Sequence, residues 1–460
     1  MKKLMLKKYL LIILLLVITQ SHAQQNDSIM IRKIYDEALT KGKCYDWLDY
    51  LSNRIGGRLS GSTQAAQAVN YVQMELTKLN VDAVSLQEVM VPHWVRGPKE
   101  QAWISSNTQK TLVSICALGS SIATPKGGLI AEVIEVSNWE EMENLGIEGI
   151  KGKIVFMNHP MKPTYINTFE AYGEAAKYRY STTSKAAALG AKGVVVRSMT
   201  MAMDNNPHAG AMGYVDSIAK IPACAISTMG AERLSAIIKK DKKAQFGFVM
   251  SPQTLPDTLS HNVIGEILGT EFPKEVILIG GHLDSWDLGD GAHDDGAGVV
   301  QAMEVLHILK SLNVKPKRTI RFVAFMNEEN GGKGGEKYAQ SAKSDKRKTI
   351  AAIESDAGGF SPHGFSFKGD SLMILKAMSW KKMFEPYLLF DWRKGYGGAD
   401  INHLQDQGTL LIGFMPDSQR YFDLHHAATD TFDKVNKREL ELGAAAMASL
   451  AWLLSEYGVK

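Results

Sequence analysis

The chain has 460 residues, of which 45% are hydrophobic, and a formal net charge of +3 at pH 7. Four lysines lie within residues 1–23 and no acid does, so the chain after residue 23 has a formal charge of −1. This balance, without a patch rich in Lys or Arg, gives no support for nucleic-acid binding. The length and hydrophobicity suggest two or three domains, or one domain with an insertion.

Residues 1–23 have the organisation of a secretory signal peptide. A lysine-rich segment precedes the apolar run YLLIILLLVIT, and the small-x-small sequence SHA follows and ends at Ala23. The apolar run is too short for a membrane span, and no cysteine follows it closely enough to carry a lipid anchor. We therefore expect an exported protein, periplasmic or extracellular, with cleavage near Ala23.

Residues 24–121 are predicted to form the first part of a catalytic-type α/β domain. The stretches DSIMIRKIYDEALT and AAQAVNYVQMELTKL have apolar residues at three- and four-residue spacing, which is typical of helices. The Gly/Ser-rich stretch NRIGGRLSGS between them indicates a loop, and VDAVSLQEVMVPHWVRG predicts a strand. Three widely spaced cysteines, Cys44, Cys116 and Cys224, show no metal-site spacing and allow at most one disulfide, so we expect buried thiols.

Residues 122–246 are predicted to form a separate α/β domain inserted into the first. Helical patterns such as MGAERLSAIIKK separate short β-like runs in this part of the chain, and the length is common for a domain. The β-like runs are GLIAEVIEV, GKIVFMNH, AKGVVVRSM and IPACAIS.

Residues 247–460 are predicted to complete the main domain. Four nearly continuous apolar runs alternate with helical patterns, which indicates a mixed, mostly parallel sheet flanked by helices on both faces. These runs are EVILIGG, TIRFVAFM, TIAAIES and TLLIGFM.

Acidic and imidazole side chains follow all four runs. His282 and Asp284 come after the first and the pair Glu328–Glu329 after the second. Asp356 follows the third, and the pair His425–His426 follows the last. Because ligands of open α/β sheets bind outside the carboxyl ends of the strands, these groups should meet at one edge. Each motif alone occurs often by chance, but their shared position at strand ends does not.

So many carboxylates at one place require a positive partner, since unpaired carboxylates held together would become protonated or move apart. The stretch GGHLDSWDLGDGAHDDGAGVV alone contains five aspartates and two histidines. Imidazole and carboxylate ligands without cysteine suit Zn²⁺ best. The ligands exceed the needs of one tetrahedral site, which favours two metals about 3.5–4 Å apart that share a carboxylate.

The ligand series resembles that of the co-catalytic di-zinc aminopeptidases and glutamate carboxypeptidases. It reads H-x-D, D-D-x-x-G, E-E, D and H-x-x-x-D-T along the chain. Other stretches, such as VPHWVRG and LGSSIATP, also resemble members of this family, so the likeness covers nearly the whole chain after residue 23. It implies a zinc-peptidase fold with an inserted protease-associated domain that walls or covers the cleft, and a homodimer.

The resemblance also implies a role for each residue. Asp294 would bridge the two zinc ions, Glu328 would be the general base, and Asp284 would accept the outer ring N–H of His282. His426 is preferred to His425 because only His426 has the H-x-x-x-D-T spacing, and the peptide bond after Asp294 would be cis. The implied zinc ligands are His282, Asp294, Glu329, Asp356 and His426.

The function implied is hydrolysis of small peptides, above all dipeptides with free termini. An aminopeptidase acting on longer peptides is the main alternative, and a non-catalytic peptide-binding protein is an alternative of another class. Glutaminyl cyclase, a transferase on a related fold, works with one zinc and does not require this ligand set. Candidate substrate-binding residues are Gly398 and Asp400, which precede the last strand, and His208 in the inserted domain.

Overall fold

A computed structural model describes residues 25–107 and 109–459. The predicted signal peptide, residues 1–23, lies outside the described residues. Within them, no helix has both the length and the apolar character that crossing a bilayer requires.

The strands of the described chain lie in two sheets. In chain order they are β1 Ala83–Val95, β2 Gln101–Ser106, β3 Gln109–Val113, β4 Ile115–Ala117, β5 Leu129–Val136, β6 Ile154–Met157, β7 Gly193–Arg197, β8 Ala223–Ile226, β9 Gln245–Val249, β10 Gln253–Ile267, β11 Phe272–His282, β12 Arg318–Phe325, β13 Lys348–Glu354, β14 Pro362–Lys368, β15 Asp391–Lys394 and β16 Leu410–Pro416.

Helices connect and cover these strands, and two further segments, Tyr50–Ile55 and Ala292–Gly296, have irregular helical turns. The helices are α1 25–41, α2 Cys44–Asp49, α3 Thr63–Lys78, α4 Trp139–Ile150, α5 Thr168–Ala188, α6 Thr228–Lys240, α7 Ala297–Ser311, α8 Lys333–Ser344, α9 Ser371–Met378, α10 Lys381–Phe384, α11 Tyr421–Leu424 and α12 Lys437–Tyr457.

The first sheet has the order β1-β10-β12-β11-β13-β16-β14-β15. Its centre is β12, β11, β13 and β16, which pair in parallel and correspond to the four predicted apolar runs. Both faces are covered: Ile277 and Ile279 of β11 belong to the large core under α7 and α12, whereas Leu278 packs in a smaller cluster with α8. The predicted mixed, mostly parallel sheet between helices is confirmed.

The second sheet, of order β3-β2-β9-β5-β6-β7-β8-β4, is inserted between β1 and β10. We call residues 101–249, which contain it, the inserted unit. It begins earlier than the predicted limit at 122, because β2 and β3 form a hairpin on β9 and β4 pairs with β8. These short strands lack the long apolar runs by which the sequence marks the rest of the sheet.

All three cysteines are buried free thiols, as expected. Cys116 of β4 lies opposite Ala225, and Cys224 of β8 lies opposite Ala117. Because successive side chains of a strand point to opposite faces, the two sulfur atoms lie on different faces of the sheet.

We expect Gly298→Ala to destabilise the protein by about 1–3 kcal/mol, the usual range for overpacking. Gly298 is the second residue of α7, and an added Cβ there would lie 2.0 Å from the carbonyl oxygen of Ser355, the residue after β13. The measurement is the free energy of unfolding in urea. Gly173→Ala in α5 is the matched control, since nothing lies within 4 Å of its Cβ position. Equal stability of both variants would contradict this packing.

Candidate metal centre

The carboxyl ends of the four parallel strands deliver the predicted ligands to one place. His282 is the last residue of β11, and Glu329 and Asp356 follow β12 and β13. His426 follows α11, which comes after β16. Asp294 lies in the irregular turn before α7, and all five side chains are largely buried.

Asp294 lies between the other four and turns one oxygen to each side. Its Oδ1 is 3.2 Å from His282 Nε2, and Asp356 Oδ1 is 3.5 Å from the same nitrogen. Its Oδ2 is 3.3 Å from His426 Nε2, and Glu329 Oε2 is 3.0 Å from that nitrogen. The cluster therefore has a His282 half and a His426 half that share Asp294.

The partners of the ring nitrogens indicate that these contacts lack hydrogen-bond donors when the imidazoles are neutral. His282 Nδ1 is 2.9 Å from the carbonyl oxygen of Asp284, and His426 Nδ1 is 3.4 Å from that of Ala209. Carbonyl oxygens only accept, so each Nδ1 carries the proton and each Nε2 presents a lone pair to carboxylates. Asp294 Oδ2 is buried without a donor. Such converging lone pairs fit a divalent cation, and this donor set suits zinc.

Protonation equilibria reflect the same excess of negative charge. Burial, with the charge of Asp294, raises the pKa of Glu329 well above its usual range. Burial lowers the pKa of His282, but hydrogen bonds to Asp294 and Asp356 outweigh it and raise that pKa well above its usual range. Protons thus compensate for part of the charge that a cation would neutralise.

The HxD and EE segments are joined by the carboxylate of Asp284. Its Oδ1 accepts the backbone N–H of Asn327 at 2.6 Å and that of Glu328 at 3.1 Å. Burial raises the pKa of Glu328 to about 8, His282 opposes this shift, and the charges of Asp356 and Asp284 add to it. Glu328 thus stands beside the cluster with its backbone fixed and a high proton affinity.

The prediction for the side chain of Asp284 was wrong in one respect. Its carbonyl oxygen, and not its carboxylate, accepts from His282 Nδ1, and Oδ1 is 3.9 Å from that nitrogen. Oδ1 instead accepts the two backbone N–H groups after β12.

Two further aspartates fix the backbone around Asp294. Asp430 accepts from the N–H of His293 at 2.7 Å and from that of Asp294 at 3.1 Å, and burial raises its pKa to about 7. Asp295 accepts from the N–H of His282 at 3.0 Å and from that of Gly298 at 2.9 Å. The Asp294–Asp295 peptide bond is cis, as the resemblance implies.

His425 lies nearly as close to Asp294 as His426 does. Its Nε2 is 3.6 Å from Asp294 Oδ2, and its ring stacks on that of His426 with centroids 3.5 Å apart. His426 has a φ of 63°, which turns its side chain beside that of its neighbour. Either imidazole could join Asp294 at a metal, but only His426 is in contact with Glu329 as well.

Arg58 is a residue of the site that the sequence analysis missed. It is fully buried in the loop NRIGGRLSGS and donates to the carbonyl oxygens of Leu283 at 2.6 Å, Asp290 at 2.9 Å and Gly291 at 2.9 Å. These bonds hold the loop between β11 and Asp294, and the guanidinium brings a positive charge among the aspartates. No motif marks it, since an arginine among glycines is common in exposed loops.

A cavity of about 700 Å³ opens beside Asp356, between the inserted unit and the β14–β16 edge of the first sheet. Gly398, one of the substrate-binding candidates, lies on its wall with a φ of 149°. A Cβ there would lie 2.5 Å from the carboxyl carbon of Glu354. The carboxylate of Glu354 accepts the N–H of Ala399 at 2.6 Å, which holds this loop against β13.

The other two substrate-binding candidates are not on this wall. Asp400 is buried behind the glycines, and neither of its carboxylate oxygens has a hydrogen-bond partner. His208 is 2% exposed and lies 2.7 Å, through Nδ1, from the carbonyl oxygen of His425.

Carboxylates and imidazoles at the carboxyl edge of a mostly parallel sheet, with a half-buried glutamate beside them, define a metal-dependent hydrolase. The model of peptidase family M28 matches residues 262–451. Carboxypeptidase Q of Bos taurus is 32% identical over 93% of this chain and 88% of its own length. The human carboxypeptidase Q is 33% identical over 92% of this chain and 87% of its own length. The chain belongs to peptidase family M28 and is a metal-dependent peptidase.

Solved structures agree with this assignment. A peptidase M28 precursor from Shewanella amazonensis is 32% identical with a TM-score of 0.90, over 94% of this chain and 97% of that one. An aminopeptidase from an Aneurinibacillus strain has a TM-score of 0.64 at 21% identity, over 92% of this chain and 96% of that one, and shares the fold.

We expect Arg58→Met to lower the free energy of unfolding by about 3 kcal/mol, because three buried carbonyl groups lose a donor at about 1–3 kcal/mol each. Urea unfolding measures the change. Arg54→Met, at an exposed position of the same segment, is the control and should stay within about 0.5 kcal/mol of wild type. A stability loss for Arg58→Met no greater than that of the control would contradict this role.

Proposed function

We propose that this chain hydrolyses small peptides with two zinc ions, preferentially dipeptides with free termini. The observation that carries the proposal is the pair of half-sites that share Asp294, with Glu328 and a cavity beside them. His282 and Asp356 would hold one ion, Glu329 and His426 the other, and Asp294 both.

Zinc bound here would polarise the scissile carbonyl and lower the pKa of a shared water toward about 7. Glu328 would accept the proton of that water, because it adjoins the cluster and is not among the proposed ligands. It then returns the proton to the leaving amine. Asp284, through the N–H groups of Asn327 and Glu328, keeps the base in place during both transfers.

The likeness to carboxypeptidase Q supports small peptides as substrates. The cavity favours a second candidate, an aminopeptidase that removes N-terminal residues from longer peptides, because about 700 Å³ leaves room beyond two residues. A cavity of this size is also typical of pockets that enclose a whole small ligand, which agrees with a dipeptide. A non-catalytic peptide-binding role is disfavoured, since the complete donor cluster and Glu328 serve no purpose in it.

We also propose that the protein is exported, which the signal-like residues 1–23 support, and that the inserted unit is a protease-associated domain. Ile166, Asn167, Phe169 and Glu170 of that unit line the cavity beside Asp356, as a cleft wall should. A homodimer is the proposed assembly. Exposed apolar side chains at Leu372, Leu375 and Phe390 offer it a surface, and light scattering that shows a monomer would refute it.

We expect Glu328→Gln to lower kcat by about 10²–10⁴-fold, because the amide cannot accept the proton of the attacking water. Zinc content should stay at the wild-type level, since Glu328 is not among the proposed ligands. Dipeptide hydrolysis and metal analysis give the two readouts. Glu336→Gln in α8, where the side chain is 44% exposed, is the matched control. Full activity of Glu328→Gln would show that another group is the base.

A substrate panel separates the two peptidase candidates. A dipeptide, the same dipeptide with an amidated C-terminus, and a tripeptide with the same N-terminal residues are compared by kcat/KM. A dipeptidase that recognises both termini should prefer the free dipeptide by about tenfold or more, equivalent to about 1.4 kcal/mol. Equal or faster cleavage of the tripeptide and the amide would favour the aminopeptidase.

A further inference from the structure

The histidine segment of the cluster rests on the inserted unit and not on the first sheet. Helix α11 leads into His425 and packs its aromatic side chains on α5. The ring centroids of Phe169 and Tyr421 are 5.3 Å apart, and those of Tyr172 and Phe422 are 4.6 Å apart. Tyr172 also meets the ring of His425 edge-on at 4.9 Å. Aromatic pairs of this kind add about 0.5–1.5 kcal/mol each to the burial of their surface.

Hydrogen bonds from the inserted unit fix the backbone of both histidines. His208 Nδ1 donates to the carbonyl oxygen of His425 at 2.7 Å, and the N–H of Ala209 donates to that of His426 at 2.8 Å. The carbonyl oxygen of Ala209 is in turn 3.4 Å from His426 Nδ1. Two consecutive residues of the inserted unit thus orient the backbone and the ring of His426.

A buried arginine, Arg179, supports His208 and Ala209, the two residues that we call the clamp. Arg179 Nη1 is 3.4 Å from the carbonyl oxygen of Ala209, and Nη2 donates to the hydroxyl of Tyr172 at 2.7 Å. A Cβ on Gly210 would lie 2.3 Å from Arg179 Cζ, so the guanidinium packs directly on the chain after Ala209. No ion pair involves Arg179 within residues 25–107 and 109–459, so its contacts are with the clamp and not with an acid.

Glu329, the other residue of the His426 half, depends on the inserted unit as well. Its Oε1 accepts the N–H of Trp286 at 3.2 Å. The Trp286 ring packs on Gly119, where a Cβ would lie 2.1 Å from Cη2. The partners of His282, in contrast, belong to its own loops: the Asp284 carbonyl accepts from its ring and Asp295 from its backbone.

We propose that the inserted unit is a positioning device for one metal site: it holds His426 through His208 and Ala209 and so completes the His426 half, whereas the His282 half forms without it. The inference rests on the proposed two-metal function. Groups that hold a metal-binding imidazole from outside typically change metal affinity by about 10–100-fold when they are removed. The effect should be selective, since the protein should bind only one of the two zinc ions more weakly.

The test uses two substitutions of His208 that differ in where they place a donor. An Asn side chain places its amide near the position of Nδ1, and a Gln side chain places it near that of Nε2. Chelator-stripped full-length protein is titrated with zinc in competition with a chromophoric chelator. We expect wild type and His208→Asn to bind two ions tightly. We expect His208→Gln to bind one ion as wild type does and the other about 10–100-fold more weakly.

His159→Gln is the matched control, because His159 Nδ1 also bonds a carbonyl oxygen, that of Ser137 at 2.8 Å, within the inserted unit. It should bind both ions as wild type does. Tyr172→Phe, which removes only the hydroxyl that Arg179 contacts, is the second variant should His208→Gln fail to fold in a thermal melt. Tyr172→Phe should weaken zinc binding at the same one of the two sites.

Unchanged zinc binding in both His208→Gln and Tyr172→Phe would overturn the inference. An equal loss of affinity for both zinc ions would also overturn it. So would a loss of zinc affinity in His208→Asn as large as that in His208→Gln. Wild-type protein that binds fewer than two ions would instead overturn the two-metal centre on which the inference rests.

Discussion

The sharing of one buried carboxylate between two imidazoles is the constraint on which this structure depends. Asp294 faces His282 with one oxygen and His426 with the other, at 3.2 and 3.3 Å, where neither nitrogen supplies a proton when the ring is neutral. Buried charge of this kind costs several kcal/mol unless it is compensated. The centre is therefore stable only with cations or added protons, and we propose that two cations fill this role.

Much of the surrounding chain serves to hold that arrangement. Arg58 fixes the loop that leads to Asp294 by bonding three carbonyl groups, and Asp430 holds the N–H groups of His293 and Asp294. Three strand ends of the parallel sheet bring residues to the centre, and α11, which packs on α5 of the inserted unit, leads into the histidine pair. We propose that the centre needs both units of the fold, the first sheet for most ligands and the inserted unit to hold His426.

The sequence was sufficient for the central sheet and for the ligand cluster, since apolar runs mark buried strands and polar residues follow their ends. It was insufficient where contacts depend on backbone atoms. Nothing in the sequence shows that Asp284 uses its carbonyl for His282, that Arg58 turns inward, or that His208 lies behind His425 and not on the cavity wall. The start of the inserted unit at Gln101 was missed because its first strands are short and half-exposed.

The most direct test of the two-metal centre is the zinc content of the purified protein, measured together with peptide hydrolysis before and after chelation. The account predicts about two zinc ions per chain, loss of turnover in the stripped protein, and recovery when zinc is returned. Fewer than about one ion per chain, or undiminished turnover in fully stripped protein, would contradict it.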